Sequence, residues 1–395
     1  MITKRMVLEG DYVEAFLYFD FLWLFDNDGG VYAFDLETYI EKELNGSGSA
    51  ARKLFARNDE MVKLSGRPYG SLQTPDVQNL VASDAPIVVS VQDVLKYSIF
   101  VDAGTVLNRP LDVRMYNGHA FVSVPGGLAL FEAFGREDTS SVSMGSARSG
   151  MKTKAERVFD SGTPLQIQCR LGALSLSCGG EGLYGGVGAL TQGWWRPELN
   201  RVADVSFGCE VARAGISSIP EAAGLELRSV ETVVVPATSG RRRKDEAVEP
   251  VAIMKIAANV DEEASRQFEE IIATASTSNV LAEQTFLSTT SAYTSFSDGR
   301  MVRTALTKQN AFGHARWDGV WFPAPEGEVI AMTTTAGKMI AETHEDVQIL
   351  DQEKWVRLFG EPVLRVRGYP NSKWYRQLVT IVGEGQAELV FLCDD

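Results

Sequence analysis

The chain alternates short apolar runs, rich in aromatic and β-branched residues, with turns rich in Asp, Asn and Gly. The first run extends from Phe16 to Phe25, the sequence DNDGG follows at residues 26–30, and an apolar run resumes at Val31. An apolar segment, an Asn/Asp/Gly turn and a second apolar segment are typical of a β-hairpin. We therefore predict a strand over residues 16–25 that turns back at residues 26–30.

The same pattern recurs along the whole chain. It predicts five further hairpins, with turns at residues 125–127, 179–182, 298–300, 323–327 and 383–385. Hairpins of one kind distributed over the full length indicate an all-β fold that is mainly antiparallel.

This arrangement of strands and turns resembles the β-propeller superfold, whose four-stranded blades occupy roughly 40–50 residues each. The resemblance rests on the hairpin pattern alone, without a WD40 or kelch signature. It implies an irregular β-propeller of roughly 6–7 blades that forms a single domain over residues 1–395. A two-sheet sandwich or two smaller β-domains would give a similar pattern.

Helical insertions interrupt the pattern near residues 41–64 and 261–275. In the second insertion, acidic residues at the start suit the positive end of a helix dipole. An apolar stripe with i, i+3, i+4 spacing follows at Phe268, Ile271 and Ile272. We also predict one helical turn over residues 355–359.

Two segments, residues 137–163 and 237–249, have few apolar residues and are predicted to be flexible loops. The second contains four consecutive basic residues, Arg241, Arg242, Arg243 and Lys244. Cations clustered on an acidic protein can steer an encounter with a partner. We predict that these residues bind a partner protein, with a proteolytic cleavage site as the alternative.

A second candidate for partner binding is Trp194, Trp195 and Arg196. Neighbouring side chains on a strand face opposite sides, so both tryptophans cannot enter one core. Because Trp and Arg are common anchors of protein interfaces, we predict partner binding here, with packing between blades as the alternative.

Composition narrows the possible functions. The 395 residues are 45% hydrophobic and carry a formal net charge of −14, which suits a folded domain and disfavours binding to nucleic acid or anionic membranes. The chain lacks an apolar run of about 18 residues that a membrane helix requires. The cysteines at 169, 178, 209 and 393 form no CxxC pair. We expect a cytoplasmic protein without a cofactor or a metal ion.

Catalytic motifs are not evident. The three histidines, His119, His314 and His344, are far apart in sequence. The glycine-rich residues 179–188 lack the lysine of a phosphate-binding loop, and residues 26–30 lack the distant glutamate of a calcium loop. We therefore assign no catalytic, cofactor-binding or metal-ligating residues.

These observations predict a non-enzymatic scaffold, sensor or regulatory subunit. We expect a prokaryotic accessory protein that works beside an enzyme or effector and is regulated by loop proteolysis. The alternative is a propeller-type hydrolase or lyase that acts on a sugar-like substrate in a central funnel, with Trp317, Asp318 and Trp321 near the acids of the opening hairpin. A nucleic-acid binder is the least favoured class because of the acidic charge.

Overall fold

A computed structural model describes most of the chain. The described residues are 2–44, 46–56, 74–102, 104–116, 118–133, 155–170, 173–187, 198–211, 215–235, 251–277, 279–288, 291–309, 312–335, 338–370, 372 and 374–393. They divide into two compact units. The first comprises Met1–Pro110, Glu132–Ala155 and Pro325–Asp395, and the second comprises Leu111–Phe131 and Glu156–Ala324.

The N-terminal part of the first unit contains six strands and four of the helices. In chain order these are β1 (Ile2–Glu9), β2 (Glu14–Tyr18), β3 (Phe21–Phe25), β4 (Gly30–Asp35), α1 (Leu36–Glu43), α2 (Gly48–Phe55), α3 (Pro75–Ala82), β5 (Ile87–Val89), α4 (Val91–Tyr97) and β6 (Ser98–Asp102). A 3₁₀ turn follows at Gly104–Leu107. Strands β2, β3, β4 and β6 form one antiparallel sheet, blade 1.

The second unit contains four sheets of four strands each, blades 2 to 5. Blade 2 contains β7 (Asp112–Tyr116), β8 (His119–Val124), β9 (Gly127–Glu132) and β10 (Glu156–Phe159). Blade 3 contains β11 (Gln166–Arg170), β12 (Ala173–Ser177), β13 (Leu183–Val187) and β14 (Glu198–Ala203). Blade 4 contains β15 (Gly208–Val211), β16 (Gly215–Ile219), β17 (Glu226–Val235) and β18 (Val251–Val260). After helix α5 (Glu262–Ala275), blade 5 contains β19 (Ala282–Ser288), β20 (Ser291–Phe296), β21 (Arg300–Gln309) and β22 (Phe312–Pro323).

The C-terminal part of the first unit contains two further sheets. Blade 6 contains β23 (Val329–Thr335), β24 (Lys338–Thr343), β25 (Val347–Asp351) and β26 (Lys354–Phe359). Blade 7 has five strands in the order β27 (Arg365–Gly368), β28 (Leu378–Gly383), β29 (Gln386–Cys393), β1 and β5.

Together the seven sheets are those of a seven-bladed β-propeller, which confirms the predicted fold class. Among the described strands, β1 and β5 form a parallel pair. The other described strand pairs, such as β1 with β29, are antiparallel. None of the helices in the described ranges has the length and apolar character needed to cross a bilayer.

Helix α5 shows how an insertion is fixed to its blades. Asp261 caps its first turn, because its side chain accepts a hydrogen bond of 3.1 Å from the Ala264 N–H. Phe268 is buried with apolar residues of blades 4 and 5, and Ile271 and Ile272 pack against the same cluster. The predicted apolar stripe is therefore the face that the helix buries.

The last blade is completed by the first strand of the chain. β1 pairs with β29 from Ile2↔Cys393 to Glu9↔Gln386, and on its other edge it pairs in parallel with β5 from Met6↔Ile87 to Leu8↔Val89. The Lys4 ammonium donates hydrogen bonds of 2.8 Å to Ser83 O and 2.7 Å to Ala85 O, which hold the approach to β5. Burial lowers the pKa of Lys4, and nearby Asp84 partly opposes that effect.

Contacts between buried polar groups join blades 7 and 1. Arg367 Nη2 lies 2.6 Å from Glu14 Oε2, and the Glu14 side chain is 1% exposed. The Leu17 N–H donates a hydrogen bond of 2.8 Å to the Tyr369 hydroxyl. Because a buried charge is costly without a partner, the ion pair makes the position of each of these blades dependent on the other.

Several local predictions were wrong. Residues 16–25 form two strands, with a turn at Phe19 (φ 49°) and Asp20 (φ 64°). The Asp20 N–H donates to the Tyr375 hydroxyl over 2.8 Å, so a contact distant in sequence stabilises this turn. The predicted hairpin at residues 323–327 instead connects two blades, because β22 and β23 lie in different sheets.

Two further segments have extended structure where the sequence predicted otherwise. Residues 355–359 lie in β26, whose pairing with β25 overrides the local helical tendency. Within the predicted flexible segment 137–163, Glu156–Phe159 forms β10 and pairs with β9. Residues 137–154 of that segment, and the predicted loop 237–249, lie outside the described residues. Of the predicted insertion near 41–64, α1 and α2 are described, and residues 57–64 are not.

Replacing Lys4 by Met should loosen β5. The variant keeps the apolar stem but leaves the carbonyls of Ser83 and Ala85 without their donor, which we expect to cost about 1–3 kcal/mol. Hydrogen exchange at the amides of Ile87–Val89 should accelerate. The exposed Lys42→Met control should change the unfolding free energy by less than about 0.5 kcal/mol. Unchanged exchange at β5 in Lys4→Met would contradict the assigned role of Lys4.

Candidate functional site

A cavity of about 560 Å³ opens in the first unit, beside the connection from β1 to β2. We call it the N-terminal groove. Five segments of the chain line it: the β1–β2 connection, the β3–β4 turn with the adjoining part of β4, helix α4, and two loops of blade 7. The lining residues are Gly10, Asp11, Tyr12, Val13, Asp26, Asn27, Asp28, Tyr32, Val91, Val94, Leu95, Leu364, Gly383, Glu384 and Gly385.

The β3–β4 turn is organised by one carboxylate. Asp26 Oδ1 accepts hydrogen bonds from the N–H of Asp28 at 2.9 Å and of Gly30 at 2.7 Å. Gly29 has a φ of 91°, and a Cβ at Gly30 would collide with the Asp26 carboxylate. The sequence DNDGG therefore forms an Asp-anchored turn, in which Asp26 serves the backbone.

The β1–β2 connection and the β28–β29 turn lie side by side. The Gly10 N–H donates a hydrogen bond of 2.9 Å to Gly385 O. Gly10 has a φ of 146°, and a side chain there would collide with the Tyr12 ring. This contact places Asp11 and Glu384 on neighbouring walls of the groove.

Helix α4 supplies an apolar wall. The Ser90 side chain caps the helix by accepting a hydrogen bond of 3.2 Å from the Asp93 N–H, and Lys96 pairs with Glu43 of α1 at 2.6 Å. Val94 is buried, whereas Val91 and Leu95 are 45% and 57% exposed. Leu364 of blade 7, which is 53% exposed, lines the same cavity. Exposed apolar side chains that share one depression are characteristic of interaction sites.

Two tyrosines form the floor. The Tyr12 hydroxyl donates to Glu9 O over 3.1 Å, and the Tyr32 hydroxyl donates to Asp26 Oδ2 over 3.4 Å. Their rings meet edge to face with centroids 6.2 Å apart. Burial, reinforced by the charge of Asp26, raises the pKa of both phenols. Both side chains are therefore neutral hydrogen-bond donors at physiological pH.

The charged residues among those that line the groove are all carboxylates: Asp11, Asp26, Asp28 and Glu384. Asp26 is committed to its turn, while Asp11, Asp28 and Glu384 are exposed. Carboxylates are acceptors of hydrogen bonds only. The groove therefore combines apolar surface with a negative potential that favours cationic groups.

The two partner-binding sites predicted from the sequence cannot be placed on the structure. Arg241, Arg242, Arg243 and Lys244, and likewise Trp194, Trp195 and Arg196, lie outside the described residues. Their role in partner binding stays a prediction.

The aromatic residues of the alternative enzymatic hypothesis lie in blade 5. The side chains of Trp317 and Asp318 are outside the described part of the structure. The Arg300 guanidinium stacks over the Trp321 ring at 4.3 Å, and Phe296 contacts it at 5.6 Å between ring centroids. The Trp321 side chain is thus engaged in packing within its own blade.

The cysteines and histidines with described side chains are in structural surroundings. Burial raises the pKa of the Cys178 and Cys209 thiols to about 12, so both remain protonated and weakly nucleophilic. His119 lies on β8 with its ring 6.5 Å from that of Phe121, and His344 lies 3.6 Å from Glu328 at an exposed turn. No cluster of three or more metal-binding side chains occurs within the described ranges.

Sequence reasoning missed the groove because its walls come from distant parts of the chain. Only the apolar residues of α4 left a local signal: Val91, Val94 and Leu95 follow the i, i+3, i+4 spacing of a helix face. That spacing alone indicates a buried face. It does not indicate that two of the three residues are exposed.

No protein-family model matches the chain. No curated protein matches its sequence either. Solved structures do match its fold, and the β-propeller domain of Cps50 (Swd1) from Myceliophteria thermophila gives a TM-score of 0.51 at 10% identity, over 100% of this chain and 99% of that one. This likeness supports the β-propeller class and, at such low identity, shows the fold alone.

Two further structures are similar over nearly the full length. The WD40 domain of Pan2 from Neurospora crassa has a TM-score of 0.45 at 7% identity and covers 98% of this chain and 90% of its own. The N-terminal domain of Nup159 has a TM-score of 0.45 at 9% identity, with 99% and 95% covered.

Replacing Asp26 by Ala should destabilise the wall of the groove. The change removes the acceptor of two backbone N–H groups, and we expect a loss of about 1–3 kcal/mol in unfolding free energy. Urea denaturation measures this loss. Asp28→Ala, at an exposed position of the same turn, is the matched control and should change stability by less than about 0.5 kcal/mol. Equal effects of the two substitutions would show that Asp26 does not organise the turn.

Proposed function

We propose that this protein is a non-enzymatic interaction module that docks a segment of another protein in the N-terminal groove. The observation that carries the proposal is the exposure of Val91, Leu95 and Leu364 around one cavity of about 560 Å³. A volume of that size lies within the range of ~300–1,000 Å³ that is common for ligand sites. The β-propeller fold is compatible with this role but does not by itself imply it.

The walls of the groove are held by contacts that do not involve a ligand. Gly10 is bonded to Gly385, the β3–β4 turn is closed by Asp26, and Lys96 fixes α4 to Glu43 of α1. A partner would therefore meet a largely preformed surface. Preformed sites bind with a smaller entropic cost because fewer groups must be ordered on association.

The chemistry of the lining favours recognition. Tyr12 and Tyr32 are neutral donors that already have acceptors, and Asp26 is occupied by backbone N–H groups. The remaining groups offer apolar surface and carboxylate acceptors. The groove therefore suits a partner side chain that packs on the apolar surface while the carboxylates form a charged rim around it.

Other parts of the functional hypothesis rest on the sequence. We propose a cytoplasmic, prokaryotic accessory or regulatory protein, for which Arg241, Arg242, Arg243 and Lys244 provide a second docking or cleavage site. The alternative is a hydrolase or lyase that acts on a sugar-like substrate in a central funnel.

Lysine substitutions should weaken partner docking in the groove. Leu95→Lys and Leu364→Lys place a charge in the apolar wall, and we expect each to weaken capture of a specific partner at least tenfold, because apolar anchors at the centre of an interface carry much of its energy. The measurement is quantitative affinity capture from native lysate, followed by reciprocal capture with the purified partner. Both variants should retain the wild-type melting temperature within a few degrees.

Ile330→Lys is the matched control. Ile330 is an exposed aliphatic residue of β23, 43% exposed, and does not line the groove. Its substitution should leave capture unchanged. Partners retained by both groove variants, or lost equally in Ile330→Lys, would contradict docking in the N-terminal groove.

A further inference from the structure

The chemistry of the groove indicates what kind of segment it takes. We infer that the N-terminal groove binds a segment of a partner protein in which Lys or Arg residues flank a large apolar side chain. This inference rests on the proposed function, because it specifies the partner of that same groove.

The first argument is charge complementarity. Asp11, Asp28 and Glu384 are exposed carboxylates from three separate segments, and the described residues that line the groove include no Lys, Arg or His. At a protein surface, opposite charges at close range attract each other, and salt weakens that attraction. Cationic side chains of a partner would therefore gain both encounter rate and orientation from this rim.

The cation on the helix that lines the groove is engaged within the protein. Lys96 of α4 is paired with Glu43 and lies over the Tyr97 ring at 4.7 Å. Asp11, Asp28 and Glu384 are exposed to solvent and therefore accessible to a partner.

The second argument is the apolar wall. Val91 and Leu95 are one helical turn apart on α4 and therefore on one face, and Leu364 of blade 7 lines the same cavity. Each of these three residues is about half exposed to solvent. An inserted Leu, Ile, Met or aromatic side chain would remove this apolar surface from water, which favours binding.

The combination of carboxylates and apolar surface favours a polypeptide over other classes of ligand. Nucleic acid and anionic lipid present phosphates, which the carboxylates would repel. A purely cationic ligand such as a polyamine would not cover Val91, Leu95 or Leu364. A polypeptide can supply both a cation and an apolar side chain at a spacing of one or two residues.

Selection from a random library of 12-residue peptides displayed on phage tests the inference. The wild-type protein is the target, and a Leu95→Lys, Glu384→Lys double variant is used for subtraction. We expect the enriched sequences to contain Lys or Arg within two positions of Leu, Ile, Met, Phe or Trp. Enrichment of acidic sequences, or no enrichment relative to the double variant, would overturn the inference.

Fluorescence anisotropy with an enriched peptide then separates the two contributions. Asp11→Lys and Glu384→Lys should each weaken binding at least tenfold at low salt and less at high salt, since salt screens surface charges. Leu95→Ser should weaken binding at both salt concentrations. Glu353→Lys, in the β25–β26 turn outside the groove, is the control for overall charge and should have little effect. If Glu353→Lys and Glu384→Lys weakened peptide binding equally, the peptide would be responding to the net charge of the protein and not to the groove, which would contradict the inference.

The two proposals fail in different ways. If Leu95→Lys still abolishes capture of the cellular partner while the selected peptides lack cations, the groove is a docking site and the inferred chemistry is wrong. If neither groove variant affects capture, docking in the groove is itself wrong. Binding of phosphatidylserine vesicles that depends on Glu384 would also contradict the inferred partner class.

Discussion

The pairing of β1 with β29 is the constraint on which the rest of the first unit depends. Eight residue pairs incorporate the start of the chain into its last blade, and Met6 and Leu8 are completely buried there. The edge of β1 is covered in turn by β5, so the strand has neighbours on both sides. An edge strand covered in this way is protected from pairing with other chains.

The insertion between β4 and β6 contributes both to the last blade and to the N-terminal groove. Its strand β5 covers β1, and its helix α4, which begins two residues after β5 ends, forms a wall of the N-terminal groove. Buried charge adds to this arrangement, because Glu14 of blade 1 faces Arg367 of blade 7. Buried ion pairs contribute little net stability but penalise alternative packings. The polar contacts therefore specify the relative position of blades 1 and 7, which the apolar core alone would constrain less strictly.

The sequence pattern was sufficient for the fold class, and its failures have physical causes. Turns marked by Gly with positive φ, such as Gly126, Gly299 and Gly385, were located because their chemistry is local. The turn at Phe19 and Asp20 was missed, because it depends on Tyr375, more than 350 residues away. The groove was missed for the same reason, since no single segment contains both its carboxylates and its apolar wall.

The position of the groove couples binding to the integrity of the last blade. Residues 10–13 leave β1 directly into the groove, and α4 is tied to the strand that covers β1. A partner that contacts Asp11 and Leu95 together would bind only when β1 is paired with β29 and β5 is in place. Any ligand that binds the folded arrangement alone stabilises it in proportion to RT ln(1 + [L]/Kd). The free energy of docking would therefore appear in part as slower opening of β1 and β5, the strands that lead into the β1–β2 connection and helix α4 of the groove.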